Sequence, residues 1–278
     1  MNQGERKVCF DHELQIEAYH FHGIMQKFPN HFHEYYVIGF IESGQRKMSC
    51  KNKEYIINSG DLIFFNPFEN HACEQIDKET LDYRCLHIEL EVMQKVVKEI
   101  TGKEDTPIFT DPVVFGSEYA PMLRHLHEMI MDEVSDFEKE ETFYFLIDQL
   151  LEQYGEMAKV NQLNKTEQKV ARVCRFIDTH YAEPISLTEL VEVSDMNKYT
   201  LLRSFTRIRG ITPYRYLQTV RINEAKKLLG LGMKPLEVAM QTGFVDQSHF
   251  SKFFTDFIGL PPGQYRNIYL DNRKETYL

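Results

Sequence analysis

The spacing of apolar residues changes part-way along the chain, and this change constrains the fold more than any other feature. Before Glu91 apolar residues alternate with polar ones or form short runs, and turn-forming pairs such as Ser43-Gly44 and Asn66-Pro67 separate these segments. Many short strands at this spacing predict an all-β sandwich or barrel. The predicted strands are Leu14–His22, Tyr35–Glu42, Gln45–Cys50, Glu54–Asn58, Leu62–Asn66 and Tyr83–Leu90.

After Glu91 the apolar residues follow a helical repeat, which predicts helices appended to the barrel. A long apolar stripe in the last of these helices either packs on its own domain or forms a dimer interface, and we expect it to contribute to both. The predicted elements are a helix over Glu91–Ile100, a loop from Thr101 to about Gly116, a helix from about Pro121 and a helix over Phe137–Ala158 whose stripe comprises Phe143, Leu146, Ile147, Leu150, Leu151, Tyr154 and Met157.

The rest of the chain is predicted to be helical because capping residues mark its helix starts. Ser186 and Glu189 have capping-box spacing, Asn197 and Asp246 are typical N-caps, and Thr212-Pro213 puts proline at a first helical position. The predicted helices run from a Thr166 cap to His180, from Leu187 to about Val193, from Asn197 to Arg209, from Pro213 to Leu229, from Pro235 to Thr242, from Asp246 to about Ile258, and from Pro261-Pro262 onward.

Two of these helix pairs, within Leu187–Arg209 and Pro235–Ile258, are helix-turn-helix candidates. The linker helix between them spans about 17 residues, so at 1.5 Å per residue it is roughly 25 Å long. It could place two recognition helices about one DNA turn, near 34 Å, apart. We therefore expect a first domain over 1–158, a linker over 159–165 and an all-α domain over 166–278, since 278 residues exceed what one hydrophobic core usually serves.

The charge distribution separates the same two parts. Residues 165–278 hold 17 Lys+Arg and 12 Asp+Glu, a net charge of +5, whereas the whole chain carries −10. A basic part joined to an acidic part indicates a polyanion-binding module, although two differently charged solvated surfaces would look alike. The five cysteines lack a Cys-x-x-Cys pair, and neither a signal peptide nor a membrane span is predicted, so we expect a soluble cytoplasmic protein.

Four segments of the helical part carry a specific pattern of residues: Tyr199–Phe205, Gly210–Pro213, Ala239–Phe254 and Gly259–Arg266. Together they resemble the AraC/XylS family of transcription regulators. Ala239–Phe254 is similar to the family's second helix-turn-helix and Gly259–Arg266 to its closing motif, while Tyr199–Phe205 and Gly210–Pro213 match the first unit and the start of the linker helix. The resemblance extends from about Val170 to Asn267. It implies a sequence-specific protein that binds double-stranded promoter DNA.

The early, exposed positions of the two second helices are the predicted DNA contacts. Arg and Lys can bridge guanine O6 and N7, while Gln, Ser and His offer smaller donors and acceptors. Leu202 could contact a thymine methyl or contribute little, and a solvated helix face would also accommodate all of these residue types. The predicted contacts are Lys198, Tyr199, Leu202, Arg203 and Arg207 in the first unit and Gln247, Ser248, His249 and Lys252 in the second.

Residues from about Phe28 to Leu90 resemble a cupin barrel, the ligand-sensing domain commonly fused to this DNA-binding unit. The resemblance rests on His31-Phe32-His33, on Gly44 and on Gly60–His71. Cupin metal sites usually add a glutamate four or five residues after the second histidine, where Val37 and Ile38 stand here. We therefore expect no metal and no cofactor.

Polar residues near the predicted barrel mouth are candidate ligand contacts. Strand alternation would put His31, His33 and Tyr35 on one face. A barrel of this size can hold one small ligand, although the histidines could instead be hydrogen-bonded structural residues. The candidate set is His31, His33, Tyr35, His71, Arg84 and His87.

The expected protein is a multi-domain regulator: an N-terminal cupin-like β-barrel with appended helices, and a C-terminal all-α domain with two helix-turn-helix motifs joined by a linker helix. We expect a ligand-responsive activator of neighbouring metabolic or transport genes. Its expected partners are a sugar, amino acid or small acid as effector, RNA polymerase, and a second copy held by helices within Tyr119–Ala158. No phosphate loop, HExxH or Gly-x-Ser-x-Gly pattern predicts catalytic residues. The alternatives are a metal-dependent cupin enzyme with a regulatory helical domain, and a regulator whose cupin domain only dimerises.

Overall fold

The computed structural model describes residues 4–51, 53–76, 79–134, 137–157 and 164–275. The chain divides into two compact units. The first comprises Met1–Phe28 and Phe32–Lys159, and the second comprises Pro29–His31 and Val160–Leu278. Most of the predicted linker, residues 159–163, and the predicted helix end at Ala158 lie outside the described residues.

The first unit is built on antiparallel sheets, as the sequence predicts. A six-stranded sheet has the order β1-β2-β9-β4-β7-β11, a four-stranded sheet has the order β3-β8-β5-β6, and β10 pairs with β12. The strands are β1 Glu5–Asp11, β2 Ile16–Ile24, β3 Phe28–His31, β4 Tyr36–Ser43, β5 Arg46–Cys50, β6 Lys53–Ile57, β7 Leu62–Phe65, β8 His71–Gln75, β9 Leu81–Ile88, β10 Pro107–Phe109, β11 Val113–Val114 and β12 Gly155–Met157.

The six-stranded sheet has two chemically different faces. Successive side chains of a strand point to opposite sides, so Ile16 and Ala18 of β2 share a face with Leu86 and Ile88 of β9. That face joins the main apolar core together with residues of three helices. These helices are α1 Leu90–Thr101, α2 Ala120–Met131 and α3 Phe137–Tyr154.

The opposite face of this sheet meets the four-stranded sheet and forms the barrel interior. The ring of Phe65 in β7 stacks on the ring of His71 in β8 with centroids 3.6 Å apart. Side chains of β2 and β9 that point to this side, including Glu17 and His87, are therefore enclosed between two sheets. The expected β-barrel architecture with appended helices is confirmed.

Four local predictions for the first unit are wrong. The segment predicted as a loop after Thr101 contains β10 and β11, and α3 stops at Tyr154, where the chain turns into β12 and pairs with β10. His31, His33 and Tyr35 do not share one strand, because β3 ends at His31 and β4 begins only at Tyr36. The predicted strands also missed the polar segments that form β1 and β8.

The apolar stripe of α3 belongs to the core of the first unit. Phe143, Leu146, Ile147 and Leu150 are buried at 1% exposure or less, and Leu151 is 9% exposed. Of the two interpretations of this stripe, packing on its own domain describes its main role. Phe137 and Phe145 of the same helix are exposed instead.

The second unit is helical, and its helix starts follow the predicted caps with one exception. Ser186 and Glu189 form a complete capping box, and Asn197, Thr212 and Asp246 each accept a backbone N–H hydrogen bond. The first helix starts earlier than predicted, because Asn164 rather than Thr166 is its N-cap. The helices are α4 Lys165–His180, α5 Leu187–Ser194, α6 Lys198–Arg209, α7 Pro213–Gly230, α8 Pro235–Gln241, α9 Gln247–Ile258 and α10 Pro262–Glu275.

Within the described ranges no helix combines the length and the apolar character needed to cross a bilayer.

Candidate functional site

The first recognition helix, α6, presents its predicted contact residues to solvent. The Asn197 side chain accepts a hydrogen bond from the Thr200 N–H at 2.8 Å and fixes the helix start. Leu201 and Phe205 are fully buried, which turns the opposite side of α6 outward. The exposed residues include every predicted one: Lys198, Tyr199, Leu202, Arg203 and Arg207.

Four of these five residues line one shallow depression on the helix surface. Tyr199, Leu202, Arg203 and Arg207 line it together with Thr206, which the sequence argument missed. Two guanidinium groups beside hydroxyl groups can bind phosphate oxygens or the edges of bases. Leu202 also lines an apolar groove with Leu187, Leu190 and Tyr214, so its side chain contributes to packing as well as to the surface.

The second recognition helix, α9, begins in the same way. The Asp246 side chain accepts a hydrogen bond from the His249 N–H at 2.7 Å. Gln247, Ser248 and Lys252 are exposed. The His249 ring is half-buried and lies 4.7 Å, centroid to centroid, from the ring of Phe253, so only part of this side chain is available to a ligand.

Val245, just before this cap, is the most exposed large apolar residue of the described chain, at 93%. Its exposure is not apparent from the sequence, because apolar residues near turns usually pack inward. Its place directly before the recognition helix puts a methyl-bearing side chain where a thymine methyl could be contacted.

The two helix-turn-helix units are joined through α7 and the turn at Gly243. Eighteen residues of α7 give a length of about 27 Å. The buried Arg221 of α7 donates hydrogen bonds to the carbonyls of Tyr181 at 2.7 Å and Glu183 at 3.0 Å. Gly243 has φ of +76°, and a Cβ there would lie 2.6 Å from the carbonyl oxygen of Ala182. Arg221 and Gly243 therefore hold the second helix-turn-helix, α8 and α9, against the loop after α4.

Four of the predicted ligand contacts lie together in the barrel interior. The His33 ring centroid is 4.7 Å from that of Tyr35, 5.0 Å from that of His71 and 5.8 Å from that of His87. The Tyr35 and His87 rings stack at 4.6 Å. These aromatic side chains form a compact group with several hydrogen-bonding atoms, which is a suitable lining for a small polar ligand.

Two further members of this group, Glu17 and Tyr19, were missed by the sequence argument. Both are buried, the Tyr19 hydroxyl donates to Oε2 of Glu17 at 3.1 Å, and the Tyr19 ring stacks on His87 at 4.0 Å. Oε2 of Glu17 also lies 3.5 Å from Nδ1 of His87. The available signal was the alternation in β2, which puts a carboxylate and a phenol on one face.

Burial affects the protonation of Tyr35 in this group. It raises the pKa of the Tyr35 phenol well above its usual range, and the charges of Glu17 and Glu89 raise this pKa further. Tyr35 is therefore protonated at any physiological pH and can donate a hydrogen bond.

One of the remaining two predicted ligand contacts, Arg84, lies elsewhere. Arg84 shares its strand with His87 but points to the opposite face of the sheet, where its Nη1 donates to Glu128 of α2 at 3.3 Å. An odd separation along a strand puts two side chains on opposite faces, so Arg84 and His87 could not have lined one pocket. His31 ends β3 in the short segment grouped with the second unit, and its Nδ1 lies 2.6 Å from the carbonyl oxygen of Pro29.

Comparison with protein families places a match on each unit. Residues 13–147 match a family described as the AraC-like ligand binding domain. Residues 190–268 match a family described as a helix-turn-helix domain. The first match contains the barrel interior, α1, α2 and the first part of α3, and the second contains α6 and α9.

Individual proteins resemble the chain over most of its length. An uncharacterised HTH-type transcriptional regulator, YbfI of Bacillus subtilis, is 50% identical over 249 residues, which are 90% of each chain. The HTH-type transcriptional activator RhaS of Klebsiella pneumoniae is 24% identical over 232 residues, which cover 82% of this chain and 83% of RhaS.

Among solved structures, wild-type ToxT from Vibrio cholerae bound to an unsaturated fatty acid has the same overall fold. It superposes with a TM-score of 0.52 at 16% identity and covers 96% of this chain and 98% of its own. At this identity the likeness shows the fold alone. The two family matches and the extensive identity to YbfI show more: the chain belongs to the AraC/XylS family of helix-turn-helix transcription regulators, which bind DNA.

Proposed function

We propose that this regulator is a ligand-responsive activator that acts in the cytoplasm, as a homodimer, on the promoters of neighbouring metabolic or transport genes. The observation that carries the proposal is the pair of capped recognition helices, α6 and α9, whose cationic and polar residues are exposed. RhaS is named an activator, which favours activation, by recruitment of RNA polymerase, over repression. The protein regulates transcription and is not an enzyme.

The predicted contacts divide between base recognition and phosphate binding. Arg203 lies within the first two turns of α6, where a recognition helix contacts base edges. Lys252 holds the corresponding position in α9, in its second turn. Arg207, one turn further along α6, is suited to phosphate contact, because the groove leaves room for base contacts only near the helix start.

The side chains that line the barrel interior are suited to a small polar effector. The group of Glu17, Tyr19, His33, Tyr35, His71 and His87 offers a carboxylate, phenols and imidazoles within one enclosed space. Such a lining suits the hydroxyl or amino groups of a sugar or amino acid, or a small acid, better than the acyl chain found in the ToxT structure. Effector binding in the first unit would then change DNA affinity in the second through a coupling free energy.

The proposed dimer uses a surface of α3 other than its buried stripe. Phe137 is 75% and Phe145 53% exposed, and solvent-exposed phenylalanines are typical of interface centres. Both lie in the helical segment that the sequence analysis assigned to dimerisation.

The test of DNA binding compares two double variants of the full chain. Fluorescence anisotropy with promoter fragments from its own locus should show binding that weakens steeply as salt rises. Replacing Arg203 and Lys252 together by Ala should weaken specific binding by about two orders of magnitude, since each base contact contributes about 1–3 kcal/mol. The control replaces Lys95 and Lys103, both exposed in or after α1, and removes the same charge.

The results separate the possible outcomes. Salt-sensitive binding that the first double variant loses and the control keeps supports the proposal. Equal losses in both variants would reduce it to non-specific charge attraction. A folded parent chain without affinity for any fragment of its locus would contradict it.

A further inference from the structure

A group of two histidines and an aspartate lies on the helix-facing side of the six-stranded sheet, away from the barrel interior. His20 and His22 belong to β2, and Asp82 belongs to β9. Nε2 of His20 lies 3.0 Å from Oδ1 of Asp82, and Nδ1 of His22 lies 2.8 Å from Oδ2. The two imidazoles therefore approach the two oxygens of one carboxylate.

The pairing of β2 with β9 brings these three side chains together, and a β-bulge lies at this point. Phe21 pairs with Tyr83 and Ile24 pairs with Leu81, so His22 and Gly23 together oppose Asp82 alone. Gly23 has φ of +69°, the left-handed conformation that glycine adopts readily at a bulge. A regular ladder would already place His22 opposite Asp82, and the bulge adds Gly23 beside it.

The donor set is one that divalent transition metals prefer. Imidazole nitrogen with carboxylate oxygen suits zinc, nickel, copper and iron(II), at metal–ligand distances of about 2.0–2.2 Å. One ligand atom from each residue lies within 4.8 Å of the other two. Two donor atoms bound to one tetrahedral ion at these metal–ligand distances lie about 3.4 Å apart, so an ion would replace the two shorter contacts to Asp82. His22, whose side chain is 61% exposed, can move to admit it without disturbing the core. Asp82 is 9% exposed and provides the fixed ligand.

Neighbouring charged side chains position the Asp82 carboxylate and determine the net charge of the site. Nε of Arg84 lies 3.8 Å from Oδ1 of Asp82, and its guanidinium also contacts the Glu128 carboxylate. Arg84 therefore lowers the site's attraction for a cation, while Glu128 offsets part of that charge. The ring of the buried His127 meets the His20 ring edge-on at 6.2 Å, which limits the orientations of His20.

We propose that His20, His22 and Asp82 bind one divalent first-row transition-metal ion. Three protein ligands leave a coordination position open for water or a partner's side chain, as in zinc sites that are not closed. The site lies on the opposite face of the sheet from the proposed effector group, and the proposal does not rest on the proposed function. Binding would tie the bulge of β2 to β9 beside α2.

The experiment uses the full chain after treatment with a chelator. Cobalt(II) is titrated and followed by its visible absorption, and zinc is titrated by calorimetry. We expect one equivalent of zinc with micromolar or tighter affinity and cobalt bands typical of mixed nitrogen and oxygen ligation. His22→Gln and Asp82→Asn should each weaken zinc binding at least tenfold.

Two control variants locate the ion. His125→Gln removes an exposed histidine of α2 outside the group and should leave binding unchanged. His71→Gln removes a histidine of the barrel interior and should also leave it unchanged. His22→Gln is the decisive variant, because a half-exposed side chain can be replaced without loss of the fold, which far-UV circular dichroism verifies.

Each result decides the proposal. Loss of zinc binding in His22→Gln with retention in both controls supports it. Absence of binding by the parent chain, binding unchanged in His22→Gln, or binding lost in His71→Gln would overturn it, the last by placing the ion in the barrel interior.

Discussion

The candidate sites of the two units depend on the sequence in different ways. In the second unit each recognition helix starts at a side chain that caps it within three residues, Asn197 for α6 and Asp246 for α9. In the first unit the interior group joins Glu17, Tyr35 and His87, which are brought together only by the pairing of distant strands. A helix surface whose start is set by a nearby capping residue tolerates changes to single surface residues. A site that is assembled by the pairing of distant strands depends on the whole core.

This difference predicts where substitutions have large effects. Changes in the core of the first unit should alter stability and the proposed effector group together. Changes on the faces of α6 and α9 should alter DNA binding with the fold intact.

The largest expected effect comes from the stripe of α3. Leu150 is fully buried, so Leu150→Ala should lower the free energy of unfolding by about 2–5 kcal/mol through lost apolar burial and a cavity. Phe145→Ala on the exposed side of the same helix should change this free energy by less than about 0.5 kcal/mol. Urea unfolding followed by circular dichroism measures both.

The same pair of variants tests the dimer interface. Sedimentation should show Phe145→Ala with a weaker self-association than the parent chain. A dimer that persists in Phe145→Ala, or a Leu150→Ala chain as stable as its parent, would show that the buried and exposed sides of α3 have been assigned wrongly.

The next effect is a pH dependence confined to the first unit. Burial, together with the smaller effect of the Arg84 charge, lowers the pKa of His127 from its ordinary 6.5 to about 4, although a hydrogen bond to the Tyr19 carbonyl acts in the opposite direction. The unfolded chain therefore binds a proton that the folded chain does not between these two pH values. Stability is fully present above pH 6.5 and should fall by about 3 kcal/mol as the pH drops toward 4.

The measurement is urea unfolding of the metal-free protein at several pH values. His127→Gln keeps the size and polarity of the side chain but cannot titrate, so its stability should fall less steeply over the same interval. Equal slopes for the parent chain and the variant would show that other groups carry the acid sensitivity.

How much the sequence could predict follows from the same distinction between local and long-range structure. The starts of α5, α6, α7 and α9 were predicted correctly, because each depends on residues within three positions of the cap. The strands β1 and β8 were missed, since ERKVCFD and HACEQ are too polar to show a strand pattern and are strands because β2 and β5 pair with them. Propensity is a weak guide where the partner strand decides.

The candidate sites divide in the same way. The predicted contacts of α6 and most of those of α9 lie on exposed helix faces, which helical periodicity is sufficient to indicate. In the barrel, the structure brings the predicted His33, Tyr35, His71 and His87 together and adds Glu17 and Tyr19, while the predicted Arg84 lies on the opposite face of the sheet. Glu17 lies opposite His87 through the pairing of two strands far apart in the chain, a register that no local pattern predicts, whereas the odd separation of Arg84 from His87 was visible in the sequence.

A smaller effect should distinguish base recognition from phosphate contact in α6. Arg203 is exposed within the first two turns, whereas the Arg209 guanidinium lies over the Tyr216 ring at 5.2 Å from its centroid. Arg203→Ala should relax the preference for one base pair by about 1–3 kcal/mol, while Arg209→Ala should weaken binding to all sequences alike. Binding series on single-base variants of the target site measure both.

The two variants have the same change in charge, so their difference isolates position. If Arg203→Ala lowers affinity equally for every site variant, Arg203 binds phosphate and the base-contacting assignment is wrong. A preference lost in Arg209→Ala would instead move base recognition toward the end of the helix.

The smallest effect tests the one cap that the sequence argument placed wrongly. The side chain of Asn164 accepts hydrogen bonds from the N–H groups of Thr166 and Glu167, both at 3.0 Å, and Glu167 completes the capping box. Asn164→Ala should therefore cost about 1 kcal/mol of stability, whereas Thr166→Ala should cost only a few tenths. Thermal unfolding of the two variants beside the parent chain measures the difference. A larger loss of stability in Thr166→Ala than in Asn164→Ala would show that Thr166 is the N-cap. Equal losses would show that the N-terminus of α4 frays so readily that neither residue caps it.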